Sequence, residues 1–301
     1  MILKSLKILS QNVQKNSLII QTLLETQKDF DIILIQEPPW SEIRKVPSSS
    51  NSEGDPFIGI SHHPNWIMFS RNPTDNNDSP RVVSYVNICL SPLCFLLRKD
   101  IINHRDINLL SFVNNNLFFF ILNVYSDSSH SALKYLKDTE VNIDNILIMT
   151  GDFNIRDSLW DPTFPHHSTI SDNLFIIADS FNLILSTATN PCPTRYSDML
   201  GKANSVFNLM FLWFSSPKLD SHHISSENQL SLDHAPLSVE IPIIKELFLM
   251  SKFMILPKSN HEKAFIDEVI SNFKSLNTND MDNIVKLDHM VKGIGHIIDQ
   301  A

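Results

Sequence analysis

The sequence predicts a layered α/β fold, in which buried strands alternate with amphipathic helices along 301 residues. Two observations predict this class. Short apolar runs of the kind found in strands buried on both faces recur along the chain, and several of them end in a carboxylate or an amide. Apolar residues make up 43% of the chain and charged residues 19%, which is ample for a core. The length suits one large α/β domain with an appendage, or two ordinary domains.

The chain opens with a predicted strand, helix and strand. Residues 5–10 form the first apolar run, and residues 31–36 form the second. Between them, residues 17–26 place leucine and isoleucine at helical spacing. Pro38 and Pro39 stop the second strand directly after Glu37, so this acid should lie at a sharp exit from the sheet.

The middle of the chain is predicted to be mostly strand. The runs at 66–70, 82–88 and 106–112 have no helix between them, which indicates antiparallel pairing. A strand at 117–122, a helix within 128–139 and a strand at 145–150 should follow. The last of these strands ends at Gly151-Asp152-Phe153-Asn154.

A loop at 156–167 leads to a predicted helix that Ser171 should cap. Further strands are expected at 183–185, at 205–211, in a segment that ends at 233–234, and at 237–243. Residues 242–257 look like a domain boundary, beyond which the pattern predicts two amphipathic helices, one opening at 259–262 and one from about residue 280.

Charge and cysteine content limit the class of protein. The net charge of −9 argues against broad electrostatic capture of nucleic acid, so binding to DNA would need a metal and a local basic patch. Candidates for the patch are Arg71, Arg81, Arg98, Lys99, Arg105, Arg156 and Arg195, which the sequence does not place on one face. Three cysteines predict buried thiols in a reducing compartment. We find neither a signal peptide nor an apolar stretch of about 18 residues, and we expect a soluble, intracellular protein without a membrane span.

The residues that follow the strands carry the chemistry. They are Asn12, Glu37, Asn123 and Tyr125, Asp152 and Asn154, and Asp233 and His234. Each alone has a plainer explanation, as a turn former, a rim aromatic, a solvated acid or a loop histidine. Together they could converge on one divalent cation and one phosphate, because hard cations take oxygen ligands and placed amides hold anionic oxygens.

In order and spacing these motifs resemble those of the endonuclease/exonuclease/phosphatase superfamily. The likeness is greatest to the endonuclease domain of non-LTR, LINE-like retrotransposons of the fungal Tad-like type. Residues 193–197 and 204–211 add to it. The resemblance implies a DNase I-like fold over residues 1–244, in which two β-sheets form a sandwich flanked by helices in four layers. It also implies that residues 245–301 are a C-terminal helical tail of the kind that leads to a reverse transcriptase.

The resemblance implies Mg²⁺-dependent hydrolysis of phosphodiester bonds, with Mn²⁺ as a substitute. Glu37 resembles the main metal-binding carboxylate, Asn12 the amide that supports it, and Asp233 a metal-side neighbour of His234, which resembles the phosphate-contacting histidine. Asp152 resembles the residue that orients or deprotonates the attacking water, while Asn154 and Tyr125 resemble donors to the phosphate. We expect Asn123, Thr194 and Arg195 to bind substrate.

Two positions depart from the family pattern. Asn208 stands where the family has the aspartate that faces the catalytic histidine, and Leu232 stands where a small polar residue is usual. An amide can accept an imidazole N–H bond but cannot balance an imidazolium charge. The analogous change in Ser-His-Asp hydrolases costs about 10⁴ in turnover, which serves only as an upper guide for this different chemistry. We therefore expect Asn208 to weaken catalysis.

Three functions stay open at this point. The first is a retroelement-derived endonuclease that nicks target DNA and acts in the nucleus, without the reverse transcriptase region of its ancestral polyprotein. The second is a phosphatase or phosphodiesterase of the same superfamily that acts on a lipid or inositol phosphate. The third is a catalytically decayed relic that binds DNA or a partner. The sequence does not define an oligomeric state.

Overall fold

The architecture comes from a computed structural model. It describes residues 5–46, 55–71, 79–91, 94–114, 117–139, 143–161, 163–186, 193–196, 204–213, 222–223 and 234–242. The predicted helical tail, residues 245–301, lies outside the described residues. No helix in the described part of the chain is long and apolar enough to cross a membrane.

The described elements are fourteen strands, three α-helices and one 3₁₀ turn at Ile88–Leu90. The strands are β1 (Ser5–Asn12), β2 (Ile32–Gln36), β3 (Ser41–Val46), β4 (Asp55–Gly59), β5 (Trp66–Phe69), β6 (Val82–Asn87), β7 (Cys94–Leu97), β8 (Ile107–Asn114), β9 (Leu117–Tyr125), β10 (Ile146–Asp152), β11 (Leu183–Leu185), β12 (Asn208–Trp213), β13 (His222–His223) and β14 (Leu237–Pro242). The helices are α1 (Ser17–Thr26), α2 (Ser131–Asp138) and α3 (Thr169–Ser180).

The strands form two six-stranded mixed sheets and one short hairpin. The first sheet has the order β13-β14-β1-β2-β6-β5, and the second has the order β11-β12-β10-β9-β8-β7. Among the described strands, β3 and β4 pair only with each other. Each large sheet contains one parallel pair, β1 with β2 and β9 with β10, and its other pairs are antiparallel.

The two sheets pack face to face and carry helices on their outer faces. Side chains such as Ile8 and Leu34 of the first sheet share a core with Phe119 and Met210 of the second. Helix α1 covers the outer face of the first sheet, and α2 and α3 cover that of the second. The sequence prediction of a two-sheet sandwich flanked by helices is confirmed.

The start of α3 differs from the sequence prediction. Ser168, and not Ser171, caps the helix, because its Oγ accepts a hydrogen bond of 3.3 Å from the Ile170 amide. Ser171 is buried inside the first turn, where its Oγ donates to Asp157 Oδ2 at 2.6 Å. Strand β12 likewise begins at Asn208, three residues later than predicted, since residues 206–207 are outside regular structure.

Gly151 lets β9 and β10 approach closely at the end of the second sheet. Its φ angle is 153°, and a Cβ at this position would lie 1.8 Å from the backbone oxygen of Val124. Val124 is the residue paired with Gly151 in the parallel ladder. Since the obstacle is backbone and not a flexible side chain, a larger residue would push β9 away from β10.

We therefore expect Gly151→Ala to destabilise the protein by about 3 kcal/mol or more. Urea unfolding followed by circular dichroism measures this change. Ser158→Ala, at an exposed turn, is the control and should change the free energy of unfolding by less than about 0.5 kcal/mol. A Gly151→Ala protein as stable as the control would mean that the two strands can separate at no cost.

Candidate active site

The ladders bring polar residues from both sheets to one end of the sandwich. In the parallel pair of the first sheet, Asn12 at the end of β1 is level with Gln36, which directly precedes Glu37. In the second sheet, Asp152 is level with Tyr125 on one side and with Asn208 on the other. This register places most of the predicted site residues at the same edge.

Asn12 joins the two predicted carboxylates. Its Nδ2 donates to Glu37 Oε2 at 2.9 Å and to Asp152 Oδ2 at 2.7 Å. Its Oδ1 accepts from the Gln14 amide at 2.8 Å, which fixes the orientation of the side-chain amide. Because Glu37 follows the first sheet and Asp152 ends a strand of the second, this one amide bridges the two sheets at the site.

Glu37 has a backbone conformation that non-glycine residues seldom adopt, with a φ angle of 50°. Two backbone hydrogen bonds of 2.8 Å hold it there, from the Glu37 amide to Arg81 O and from the Lys15 amide to Glu37 O. Its side chain is partly exposed. Strained residues of this kind concentrate at functional sites, since the surrounding contacts must maintain them.

Asp152 is buried, and both of its carboxylate oxygens accept hydrogen bonds. Oδ2 accepts from Asn12, and Oδ1 accepts from the Asn154 amide at 3.0 Å. Burial raises the pKa of the Asp152 carboxyl, and the negative charge of Glu37 acts in the same direction, while His234 and the Asn12 amide oppose it. The result is a carboxylate that takes up a proton more readily than an exposed aspartate.

His234 lies against both Asp152 and Asn208. Its Nδ1 is 3.3 Å from Asn208 Oδ1 and 3.7 Å from Asp152 Oδ2. The Asn208 Nδ2 donates to Ala235 O at 3.2 Å, which turns the amide oxygen toward the imidazole. Asn208 therefore occupies the place where the resemblance implies an aspartate, and among the described residues the Asp152 carboxylate also lies close to the ring.

Tyr125 and Arg81 lie beside Glu37 at the same end of the sandwich. Burial, followed by the negative charge of the nearby Glu37, raises the pKa of the Tyr125 hydroxyl well above its usual value. The Arg81 guanidinium stacks 4.9 Å from the centre of the Tyr125 ring. It also donates from Nε and Nη2 to the two oxygens of the buried Asp106, at 2.5 Å each, and from Nη2 to Asp127 at 2.9 Å.

The sequence indicated Arg81 only as a candidate for a basic patch and did not place it in the site. The available signal was its position directly before an apolar strand, matched by Asp106 directly before another. Opposite charges at the first residues of two strands are typical of a buried ion pair. The sequence does not show, however, which strands begin next to each other in the fold.

Asn154 shares the left-handed conformation of Glu37, with a φ angle of 50°. Its Nδ2 donates to Ser126 O at 2.9 Å, so the amide connects the loop after β10 with the loop after β9. This contact keeps Asn154 next to Asp152 at the edge of the cluster.

Three residues predicted to bind substrate have different surroundings. Asn123 is completely buried, and its amide bonds Ile35 O, Val83 O and the Gln36 side chain at 2.7–3.2 Å, so it ties the two sheets together. Thr194 is also buried, and its Oγ1 accepts from the Phe207 and Asn208 amides at 2.8 and 2.9 Å. Both therefore support neighbours of the site from within the core. Arg195 is exposed and lies over the Phe207 ring at 5.4 Å.

The fold has counterparts among solved structures. It is similar to the endonuclease domain of TRAS1, a telomere-specific non-LTR retrotransposon, with a TM-score of 0.57, 14% identity, and coverage of 79% of this chain and 98% of that one. It is also similar to the AP endonuclease LMAP from Leishmania major, with a TM-score of 0.53, 10% identity, and coverage of 80% and 89%.

A third similar structure is an endonuclease/exonuclease/phosphatase family protein from Leptotrichia buccalis, with a TM-score of 0.50, 14% identity, and coverage of 79% and 100%. This chain has the fold of the endonuclease/exonuclease/phosphatase superfamily. At the level of sequence, no protein-family model and no curated protein matches it.

The resemblance in the sequence implies a divalent cation at the partly exposed Glu37 carboxylate. Within the described residues, no group of three or more His, Cys, Asp or Glu side chains is arranged around a common metal position, and Asp233 lies outside those residues. Glu37 and Asp152 are like charges joined through one amide, so a cation would offset their repulsion. Because Mg²⁺ usually takes one or two carboxylates and completes its shell with water and phosphate oxygens, the donor set fits such an ion.

Proposed function

We propose that this protein is a metal-dependent hydrolase that cuts phosphodiester bonds in DNA. The observation that carries the proposal is the Asn12 amide nitrogen, which lies within hydrogen-bond distance of both Glu37 and Asp152 while His234 contacts Asp152 at 3.7 Å. A metal-binding carboxylate, a buried base and a histidine next to each other are the groups that hydrolysis of a phosphodiester requires.

The roles of the residues follow from their surroundings. The partly exposed Glu37 would hold Mg²⁺ or Mn²⁺, which when bound stabilises the negative charge that develops on the phosphate. Asp152, whose pKa burial raises, would accept the proton of the attacking water. The Tyr125 hydroxyl, whose pKa burial and the Glu37 charge raise, keeps its proton beside Glu37. His234 and Asn154 would donate to phosphate oxygens, as the family resemblance implies.

DNA is the substrate that we propose. The resemblance to retrotransposon endonucleases lies in motifs on five separate segments, and one similar fold is the endonuclease domain of a non-LTR retrotransposon. Target-site nicking in the nucleus, next to a reverse transcriptase encoded in the same ancestral element, is the activity this likeness supports.

A second candidate is a relic that binds DNA without cutting it, and the observation that favours it is Asn208. The residue at the position where the resemblance implies an aspartate is an uncharged amide, with its oxygen 3.3 Å from His234 Nδ1. Isothermal titration with Mg²⁺ separates the two candidates. Metal binding without turnover favours the relic.

The first test is plasmid nicking in Mg²⁺ or Mn²⁺. We expect Glu37→Gln and Asp152→Asn each to lower the nicking rate by about 10² or more, since one removes the metal-binding carboxylate and the other the base. Glu25→Gln, on the exposed face of α1, is the matched control and should nick at the parental rate. Full activity of Glu37→Gln, or nicking that persists in EDTA, would rule out the proposed mechanism.

The second test asks whether Asn208 weakens catalysis. We expect Asn208→Asp to raise the nicking rate about tenfold, less than the upper guide of about 10⁴, because Asp152 already places a carboxylate near His234. The change also removes the hydrogen bond to Ala235 O, which should cost about 1 kcal/mol of stability. Thermal melts therefore accompany the rates. A folded Asn208→Asp protein that nicks no faster than the parent would show that position 208 does not limit the reaction.

A further inference from the structure

Arg81 connects the two sheets beside the candidate active site. Its backbone lies directly before β6 of the first sheet, where its carbonyl oxygen accepts a hydrogen bond of 2.8 Å from the Glu37 amide. Its guanidinium reaches the second sheet, where Nε and Nη2 donate to the two carboxylate oxygens of Asp106, which directly precedes β8. Like Asn12, Arg81 therefore joins Glu37 to the opposite sheet.

The second sheet holds the guanidinium in one orientation. Asp106 is completely buried and bonds two nitrogens of the guanidinium, and Asp127, in the loop after β9, accepts a further bond from Nη2 at 2.9 Å. The ring of Tyr125, the last residue of β9, has its centre 4.9 Å from the guanidinium carbon. A planar guanidinium with two parallel bonds to one carboxylate has a fixed direction, which a lysine ammonium does not have. The second sheet therefore fixes the position of residue 81.

Asp106 also anchors Tyr125 through its backbone. The Tyr125 amide donates to Asp106 O at 2.9 Å, and Tyr125 is level with Asp152 in the parallel ladder of β9 and β10. The same buried aspartate thus holds Arg81, which bonds Glu37, and Tyr125, which lies beside Asp152. A connected set of contacts therefore leads from one site carboxylate to the other.

Glu37 needs such support because its φ angle of 50° is unfavourable for a residue that carries a Cβ. The bond to Arg81 O is made by the amide of Glu37 itself, whose direction changes when φ changes. If residue 81 moved, this amide would lose its acceptor and Glu37 could relax to a negative φ. The Glu37 side chain would then leave the Asn12 amide, to which it now accepts a bond of 2.9 Å.

We propose that Arg81 is the positioning residue for Glu37. Its ion pair with Asp106 maintains the backbone conformation in which the Glu37 carboxylate faces Asn12 and can hold the metal. This role requires no contact between Arg81 and DNA. The part of the inference that concerns the metal rests on the proposed function, whereas the part that concerns the Glu37 backbone does not.

The test variant is Arg81→Lys. It keeps the charge but cannot form two parallel bonds with Asp106 or stack as a plane on a ring. We expect it to fold, because the segment before β6 keeps two other bonds, from Trp40 Nε1 to Pro80 O at 2.7 Å and from the residue 81 amide to Arg105 O at 2.8 Å.

Hydrogen exchange followed by NMR measures the Glu37 amide directly, without metal and without DNA. We expect this amide to exchange at least about tenfold faster in Arg81→Lys, because its acceptor is no longer held in place. The Ile33 amide, in the middle of the central strand β2, is the internal reference and should stay within about twofold of its parental rate.

Arg98→Lys is the matched control. Directly after β7, Arg98 forms the same kind of two-bond ion pair, with Asp100 at 2.9 and 2.6 Å, and its guanidinium lies 5.9 Å from the centre of the Phe120 ring. It should leave the Glu37 exchange rate at the parental value. Asp127→Ala, at a partly exposed position, removes only one bond to Arg81 and should accelerate the exchange of Glu37 by a smaller factor, about threefold.

Binding of Mn²⁺, followed by electron paramagnetic resonance, tests the metal part. Half-saturation should need about tenfold more Mn²⁺ in Arg81→Lys than in the parent, since residues that orient a metal ligand contribute about this much to affinity. Parental affinity together with faster exchange of Glu37 would overturn the proposal, because the carboxylate would then not depend on Arg81.

The exchange rates alone can also overturn it. Parental exchange of Glu37 in both Arg81→Lys and Asp127→Ala would do so, and Asp127→Ala decides the question if Arg81→Lys does not fold. Equal acceleration in Arg98→Lys would show a general loosening of the protein and would likewise overturn the positioning role. A parent that binds no Mn²⁺ would count against the proposed function, and the exchange rates would still decide the role of Arg81.

Discussion

The amide of Asn12 is the contact on which the candidate site depends. It donates to a carboxylate from each sheet, Glu37 from the first and Asp152 from the second, at 2.9 and 2.7 Å. Burial raises the pKa of the Asp152 carboxyl and the like charge of Glu37 adds to this, while the hydrogen bond from the shared Asn12 amide opposes both. The packing of the sheets therefore determines the chemistry, because a shift between them would separate the acids.

Buried polar contacts fix the relative position of the sheets near that point. Asn123 of the second sheet bonds the backbone of β2 and β6, and Gln36 bonds both Asn123 and Ser10. Each of these bonds pairs a buried donor with a buried acceptor, so a shift between the sheets would leave both without partners, although Gln36 Oε1 itself has no hydrogen-bond partner. Such a frame can maintain Glu37 in its left-handed conformation.

The sequence predicted the parts of the site that strand ends determine. Apolar runs stopping at Glu37 and Asp152 were enough to place both acids at sheet edges. It could not tell whether a polar residue near a strand end faces the edge or the interior, because that depends on packing across the sheets. For this reason the buried positions of Asn123 and Thr194 were not foreseen. The ion pair between Arg81 and Asp106 could not be predicted either, since it depends on which loops lie next to each other in the fold.

The most direct test of this account is the anomalous scattering of Mn²⁺ in crystals of the protein. If the carboxylates joined by Asn12 form a metal site, the strongest anomalous peak should lie within about 2.5 Å of a Glu37 carboxylate oxygen. It should disappear in crystals of Glu37→Gln. A strongest peak more than about 5 Å from both Glu37 and Asp152 would contradict the account, because the cation would then be held by other residues.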